Sequence, residues 1–382
     1  MKHYGGAFRI CRSLLAGDSG YGPLTGTSNR LQAGSYRAIS CLAYTGPLPR
    51  RSPQGEGGFT LLELLVAVVI TLVLAGLMLT VVTNTLNLWH RTQDNISTAA
   101  RAKLVLDMAE RDLQAAFFRK DGVTWLAADI INNSGSLGSH GWLTPATSIK
   151  PATSESQRLV PLTNGPTPVI SEARFGLSGV WLRFVTTNVE SGGSLPVAVS
   201  YQIARRPLSG AITATTPADV RYTLFRAAVS TDNTFAGGND VTAAGYASGS
   251  GTPAAPRNAA TVTNPNSSDA LATNVVDFGV WFYVRDATGA LRRIFPADNN
   301  DTTHAAHDTG AAADANRFPE VADVMVRILT EQGAGLLAEI ESGAGRVTRP
   351  AAYASDAEWW WGVVEANSRV YTRRVEVKGG GL

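Results

Sequence analysis

Cysteine is nearly missing from this chain. Its 382 residues include two, Cys11 and Cys41, and none from position 59 onward. That excludes a disulfide framework and thiol chemistry for most of the protein. Histidine is scarce too: there are five, with His3 near the start, His90 mid-chain, and His304 and His307 in a polar segment. Little is left for acid–base catalysis. Charged residues make up only 17%, with a formal net charge of +2, which excludes a strongly basic nucleic-acid binder and an acidic tail. Base-stacking aromatics on a basic surface are not evident, so no nucleic-acid partner is expected. The chain has no Gly-x-Ser-x-Gly elbow, no phosphate loop and no dinucleotide fingerprint after a strand, so no enzyme is expected either. The charge is unevenly placed. Residues 1–58 carry seven basic and two acidic side chains, +5, which leaves −3 for the rest.

What is present begins at Gly58. From Leu64 to Trp89 run 26 residues without Lys, Arg, Asp, Glu or His. The aliphatic centre, Leu64 to Val82, exceeds the length a helix needs to cross a bilayer. It is too long for the apolar part of a secretory signal, and no small-residue cleavage site follows it. Arg50 and Arg51 flank the N-terminal side, which predicts a cytoplasmic N terminus, a single pass and a periplasmic C-terminal part. Glu63 interrupts the apolar pattern at its edge. A carboxylate entering hydrocarbon costs a few kcal/mol unless paired, so an intramembrane acid points to function and to a partner cation. An α-amino group at Phe59, freed by cutting after Gly58, would be that cation.

Gly58-Phe59-Thr60-Leu61-Leu62-Glu63-Leu64 resembles the class III signal of type IV prepilins and type II secretion pseudopilins. The resemblance implies cleavage between Gly58 and Phe59 by prepilin peptidase, N-methylation of Phe59, and use of Glu63 in subunit assembly. It implies other pilins or pseudopilins, an inner-membrane assembly platform and the lipid bilayer as partners. Leaders in this family are short and basic, whereas residues 1–58 would form a long one. Either the leader is long, or the start was assigned too early and translation begins nearer Arg50.

The helical pattern continues beyond the membrane. Residues 84–119 lack Pro and Gly, and apolar residues recur at Leu86, Trp89, Ile96, Ala100, Leu104, Met108, Leu113 and Phe117. This spacing predicts one helix from Phe59 to about Lys120, stopped by Gly122, with that stripe facing a globular head. Residues 59–83 would be the transmembrane and assembly part, and 84–120 its amphipathic periplasmic continuation. The stretch Met108-Ala109-Glu110-Arg111-Asp112-Leu113 resembles one in minor pseudopilin J and related minor pilins. From 121 to 382 the texture is β-rich. Strands are predicted at Val180–Thr186, Val197–Ala204, Tyr222–Ala228, Val276–Arg285, Leu291–Phe295, Val321–Leu329 and Val370–Val377. Asp286-Ala287-Thr288-Gly289 reads as a hairpin turn and Gln332–Glu341 as a short helix. The succession Leu-Arg-Phe, Val-Ser-Tyr, Leu-Phe-Arg also resembles the head of pseudopilin J, and equally that of prepilin-type proteins of verrucomicrobial cassettes. Residues 231–270 and 298–316, rich in Ala, Gly, Ser, Thr, Asn and Asp, are expected to be mobile insertions, and Gly379-Gly380-Gly381 a loose tail.

The second insertion holds a metal-like group: Asp298, Asp301, His304, His307 and Asp308. It lacks the spacing of a zinc protease or an EF-hand, so a solvated loop without metal is expected, with a calcium site as the alternative. Trp359-Trp360-Trp361 is expected to place two rings on the sheet and one half-exposed, or else to form an exposed anchor for a neighbour. The fold expected is α+β and pilin-like, a long N-terminal helix packed on a β-rich head. The function expected is that of a minor pseudopilin in a type II secretion-like pseudopilus, without enzymatic activity or cofactor. A minor pilin of a type IV pilus, or a pilin-anchored periplasmic binding protein or enzyme, is the alternative.

Overall fold

A computed structural model describes residues 60–119, 121–131, 150–151, 169–188, 195–207, 220–236, 238, 240–242, 267–298, 300–307, 314–342, 347–377 and 380–381. Gly58, Phe59 and Asp308 lie outside them. The chain divides into two units, 1–70 and 71–382. The described part of the first is the opening of helix α1, Leu61–Gln114. Along α1, Thr80, Thr83, Thr85 and Thr92 donate to carbonyls four residues earlier at 2.8–3.0 Å, which for Thr80 and Thr83 supplies the partner that lipid would not.

In the second unit α1 leads into β1 (Phe117–Phe118), β2 (Leu126–Ile130), β3 (Val180–Asn188), β4 (Leu195–Pro207) and β5 (Val220–Ala228). After the short helix α2 (Thr231–Ala236) come β6 (Ala270–Thr273), β7 (Val275–Arg285), β8 (Leu291–Phe295), β9 (Thr303–Ala306) and β10 (Val321–Leu329). Helices α3 (Glu331–Glu341) and α4 (Asp356–Asn367), strand β11 (Ser368–Glu376) and β12 (Gly380–Gly381) complete the order. One antiparallel sheet runs β6-β5-β4-β3-β2-β9 and a second β11-β10-β7-β8. The chain passes from the first to the second at Asn274, which takes a left-handed backbone (φ 64°), a conformation asparagine tolerates. A shared apolar core joins α1, both sheets, α3 and α4. The rings of Phe184, Tyr201 and Phe278 stack across it at 6.3 and 6.1 Å between centroids. The fold is the expected α+β, pilin-like arrangement.

All seven predicted strands form, and the Asp286 turn closes the β7–β8 hairpin. Asp286 Oδ1 accepts from Thr288 N at 2.8 Å and Ala290 N at 3.0 Å, and Gly289 has φ +83°. The helix ends at Gln114, ahead of Gly122, because Ala116 already bridges Thr186 of β3 and Phe117–Phe118 pair with Gly380–Gly381. The end of the chain read as a loose tail is therefore partly held in a ladder.

The two insertions also differ from expectation. The segment 231–270 opens as α2, places a buried Val241 whose N–H bonds Thr124 O, and closes at the first residue of β6. Residues 303–306 of the second insertion form β9, paired with β2 in register Ala128 to His304. The backbone of Thr303-His304-Ala305-Ala306 pairs edge to edge with Leu126–Asp129, so a polar composition did not prevent a strand.

Candidate assembly site

Thr60 and Glu63 open α1 as a reciprocal cap. Glu63 Oε2 accepts from Thr60 N at 3.0 Å and from its hydroxyl at 3.1 Å, and Glu63 N donates back to Thr60 Oγ1 at 3.3 Å. A capping threonine with an acid three residues on satisfies two orphan amides, and the carboxylate faces the positive end of the helix. In the described chain this is the partner Glu63 has. The side chains that follow, Leu64 through Val82, are exposed to their surroundings, and the helix is long and apolar enough to cross a membrane.

Beyond the apolar run, the face that meets the head is not the predicted one. Thr98, Ala102, Val105, Leu106, Ala109, Asp112 and Leu113 are buried, while Leu86, Trp89, Ile96 and Leu104 are exposed, Ile96 by 66%. Among the described side chains of the predicted stripe, Leu113 alone is buried and Met108 half-buried. The helix thus has two apolar flanks, one taken by the head and one left open.

Polar contacts fix the inward flank. Asp112 Oδ2 accepts from Arg226 Nε at 2.6 Å and Tyr201 Oη at 2.5 Å, Oδ1 accepts from Arg226 Nη2 at 2.9 Å, and Asp112 O accepts from Thr186 Oγ1 at 2.8 Å. Burial pushes the Tyr201 hydroxyl well above its ordinary range, so it stays a neutral donor, and the Asp112 carboxylate raises the Arg226 guanidinium. Asp112, Tyr201 and Arg226 belong to the Glu-Arg-Asp-Leu, Val-Ser-Tyr and Leu-Phe-Arg stretches singled out in the sequence. The fold brings those three stretches to one point. Further along, Arg373 bonds Asp107 at 2.5 Å and Glu110 at 2.7 Å, and Arg101 bonds Glu331 at 2.5 Å. These exposed pairs add less than the buried one.

The metal-like residues do not converge. His304 is buried, its ring 5.5 Å from Phe282 and 5.7 Å from Phe295, with Nε2–H donating to Arg317 O at 3.0 Å. Burial pushes its pKa down to about 4, so it is neutral. His307 Nδ1 lies 3.1 Å from Ala305 O. Asp298 and Asp301 shape a turn, accepting backbone N–H groups of Asn300 at 2.8 Å and Ala297 at 2.7 Å. Among the described residues no group of three or more such ligands is placed to hold a metal ion. The reading of His304 as part of a solvated loop is corrected: it is a core side chain.

The three tryptophans are corrected in the same way. They sit in α4, all buried, and Trp360 donates to Glu341 Oε1 at 2.9 Å. Glu341 also accepts from Tyr222 Oη at 2.5 Å and pairs with Arg205. Helix α4 went unforeseen although Ser355 and Glu358 mark its start: Ser355 Oγ accepts from Glu358 N at 3.2 Å, and Glu358 reaches back to Ala354 N at 2.9 Å.

Residues 54–79 match the model for the prokaryotic N-terminal methylation motif. This chain carries a prepilin-type methylation motif. The motif implies processing by prepilin peptidase and assembly with other pilins. No curated protein and no solved structure matches the chain.

Proposed function

We propose that this protein is a minor pseudopilin of a type II secretion-like pseudopilus, an architectural subunit rather than an enzyme. The observation that carries the proposal is the methylation motif at residues 54–79 opening an apolar helix that continues into a β-rich head. Cleavage between Gly58 and Phe59 would expose an amine, to be methylated, next to Glu63. In the precursor Glu63 is occupied by Thr60. On assembly it exchanges that cap for the Phe59 ammonium of a neighbouring subunit, which removes two charges from the lipid together and sets the axial register. The subunit starts as a single-pass inner-membrane protein with its head in the periplasm, and its role uses no cofactor. A place in a type IV pilus is the sister reading, separated by whether a secretin-linked export system or a retraction motor is encoded with it.

The test is mass spectrometry of the N-terminal peptide from membrane-extracted protein. A peptide beginning at a methylated Phe59, lost when prepilin peptidase is deleted, is the expected result. An unmodified terminus upstream of Gly58 in both strains would overturn the reading.

A further inference from the structure

Where α1 leaves the apolar run, an open groove of about 700 Å³ separates it from the base of the head. Its walls include Arg91, Asp94 and Asn95 of α1, Gln332 in the first turn of α3, Asn367 at the end of α4, and Arg369 of β11. Among the described residues neither Arg91 nor Arg369 has an ion-pair partner, unlike Arg101, Arg373 and Arg374 close by. Two guanidiniums against one carboxylate leave the groove positive. The hydroxyl oxygen of Ser368, which also lines it, is enclosed and has no hydrogen-bond partner among the described residues. The amide of Gly333 is taken by Thr330 Oγ1 at 3.0 Å, but those of Glu331 and Gln332 at the start of α3 add donors on the same side, since the opening turn of a helix leaves N–H groups unspent.

The position of the groove says what can fill it. A hydrocarbon core of roughly 30 Å takes about 20 helical residues, so a span starting at Leu64 ends near Thr83. Asn84 to Trp89 then crosses the headgroup layer, with the exposed Trp89 at the interface where tryptophan is enriched. Arg91 follows within one turn. Helical side chains lean toward the N terminus, which here is toward the bilayer. From these placements we propose that the groove holds the phosphate of an anionic phospholipid headgroup in the leaflet on the side of the head. Arg91 and Arg369 clamp it, and Ser368 with the first amides of α3 donates to it. Such a contact would hold the head against the bilayer before the subunit is drawn into a filament.

The proposal rests on reading α1 as a membrane span, and the experiment separates the two. The full chain, purified in mild detergent, is analysed by native mass spectrometry with phosphatidylglycerol or phosphatidylcholine. The variants are Arg91→Gln/Arg369→Gln, Asp94→Asn, and the control Lys103→Gln/Arg119→Gln, which removes the same charge elsewhere. The expected result is preferential retention of phosphatidylglycerol, cut about 30-fold in the first variant, raised about fivefold by Asp94→Asn, and unchanged in the control. Equal retention of both lipids, or equal losses in both double variants, overturns the site while leaving the span intact. Displacement of phosphatidylglycerol by millimolar inorganic phosphate makes the groove a free-anion site and overturns the lipid assignment. Extraction of the chain from membranes by carbonate would instead refute the span.

Discussion

Replacing Asp112 by Ala removes the acceptor for Arg226 and Tyr201 at the junction of α1 and β3–β5. The side chain of Asp112 is 6% exposed and that of Arg226 is 22% exposed. Removing one member of a buried pair costs about 3–5 kcal/mol. Arg226 can turn partly to water, so about 2–3 kcal/mol is expected. For a head of this size that lowers the melting temperature by about 5–10 °C. Tyr201→Phe deletes one hydrogen bond and should cost about 1–2 kcal/mol. The assay is thermal unfolding of the full chain in detergent, followed by near-ultraviolet circular dichroism, with Asp112→Ala, Arg226→Ala and the double variant compared in a cycle. The double variant should be less destabilised than the sum of the singles, because removing the second partner relieves a stranded charge. A shift below about 2 °C for Asp112→Ala, together with additive singles, would refute the claim that this triad fastens helix to head.

Three further outcomes are expected. Glu63→Ala should insert and be cleaved, yet be missing from sheared filaments by immunoblot; normal incorporation would contradict the pairing with Phe59. His304 has a folded pKa depressed to about 4 against 6.5 for the free side chain. The unfolded chain therefore binds more protons between those values, and stability falls as pH drops from 6.5 toward 4. His304→Gln should flatten about 2 kcal/mol of the loss measured calorimetrically between pH 7 and 4.5, and an unchanged slope would remove His304 from the account. Trp360→Ser empties a fully buried site and removes one of the three donors to Glu341, so a loss of about 3–5 kcal/mol is expected. A stable variant that merely fails to assemble would restore the tryptophans as a contact surface.

Much of this was legible from residue order. The strands rich in Val, Phe, Tyr and Ile were, because such side chains suit a pleated, half-buried surface. Strands β2, β6 and β9, with sequences LAADI, ALAT and THAA, were not. They are strands because neighbours pair with them, not through their own preference. The helix stripe was misplaced for a different reason. Both flanks of α1 repeat every three to four residues, and the inward one includes Thr98 and Asp112, which a search for apolar periodicity discards. Of the candidate site, Glu63 announced itself by being an acid in an apolar run. Asp112 did not, because its worth depends on Tyr201 and Arg226, which are 89 and 114 residues away.

The six-stranded sheet ends on both margins in four-residue strands, β6 and β9. So short a border offers an incoming chain few free amides and carbonyls to extend. For a filament subunit, as proposed above, every further route of self-association is a hazard. Margins so stunted discourage amyloid-like extension of the six-stranded sheet, whereas the second sheet still ends on the nine-residue β11.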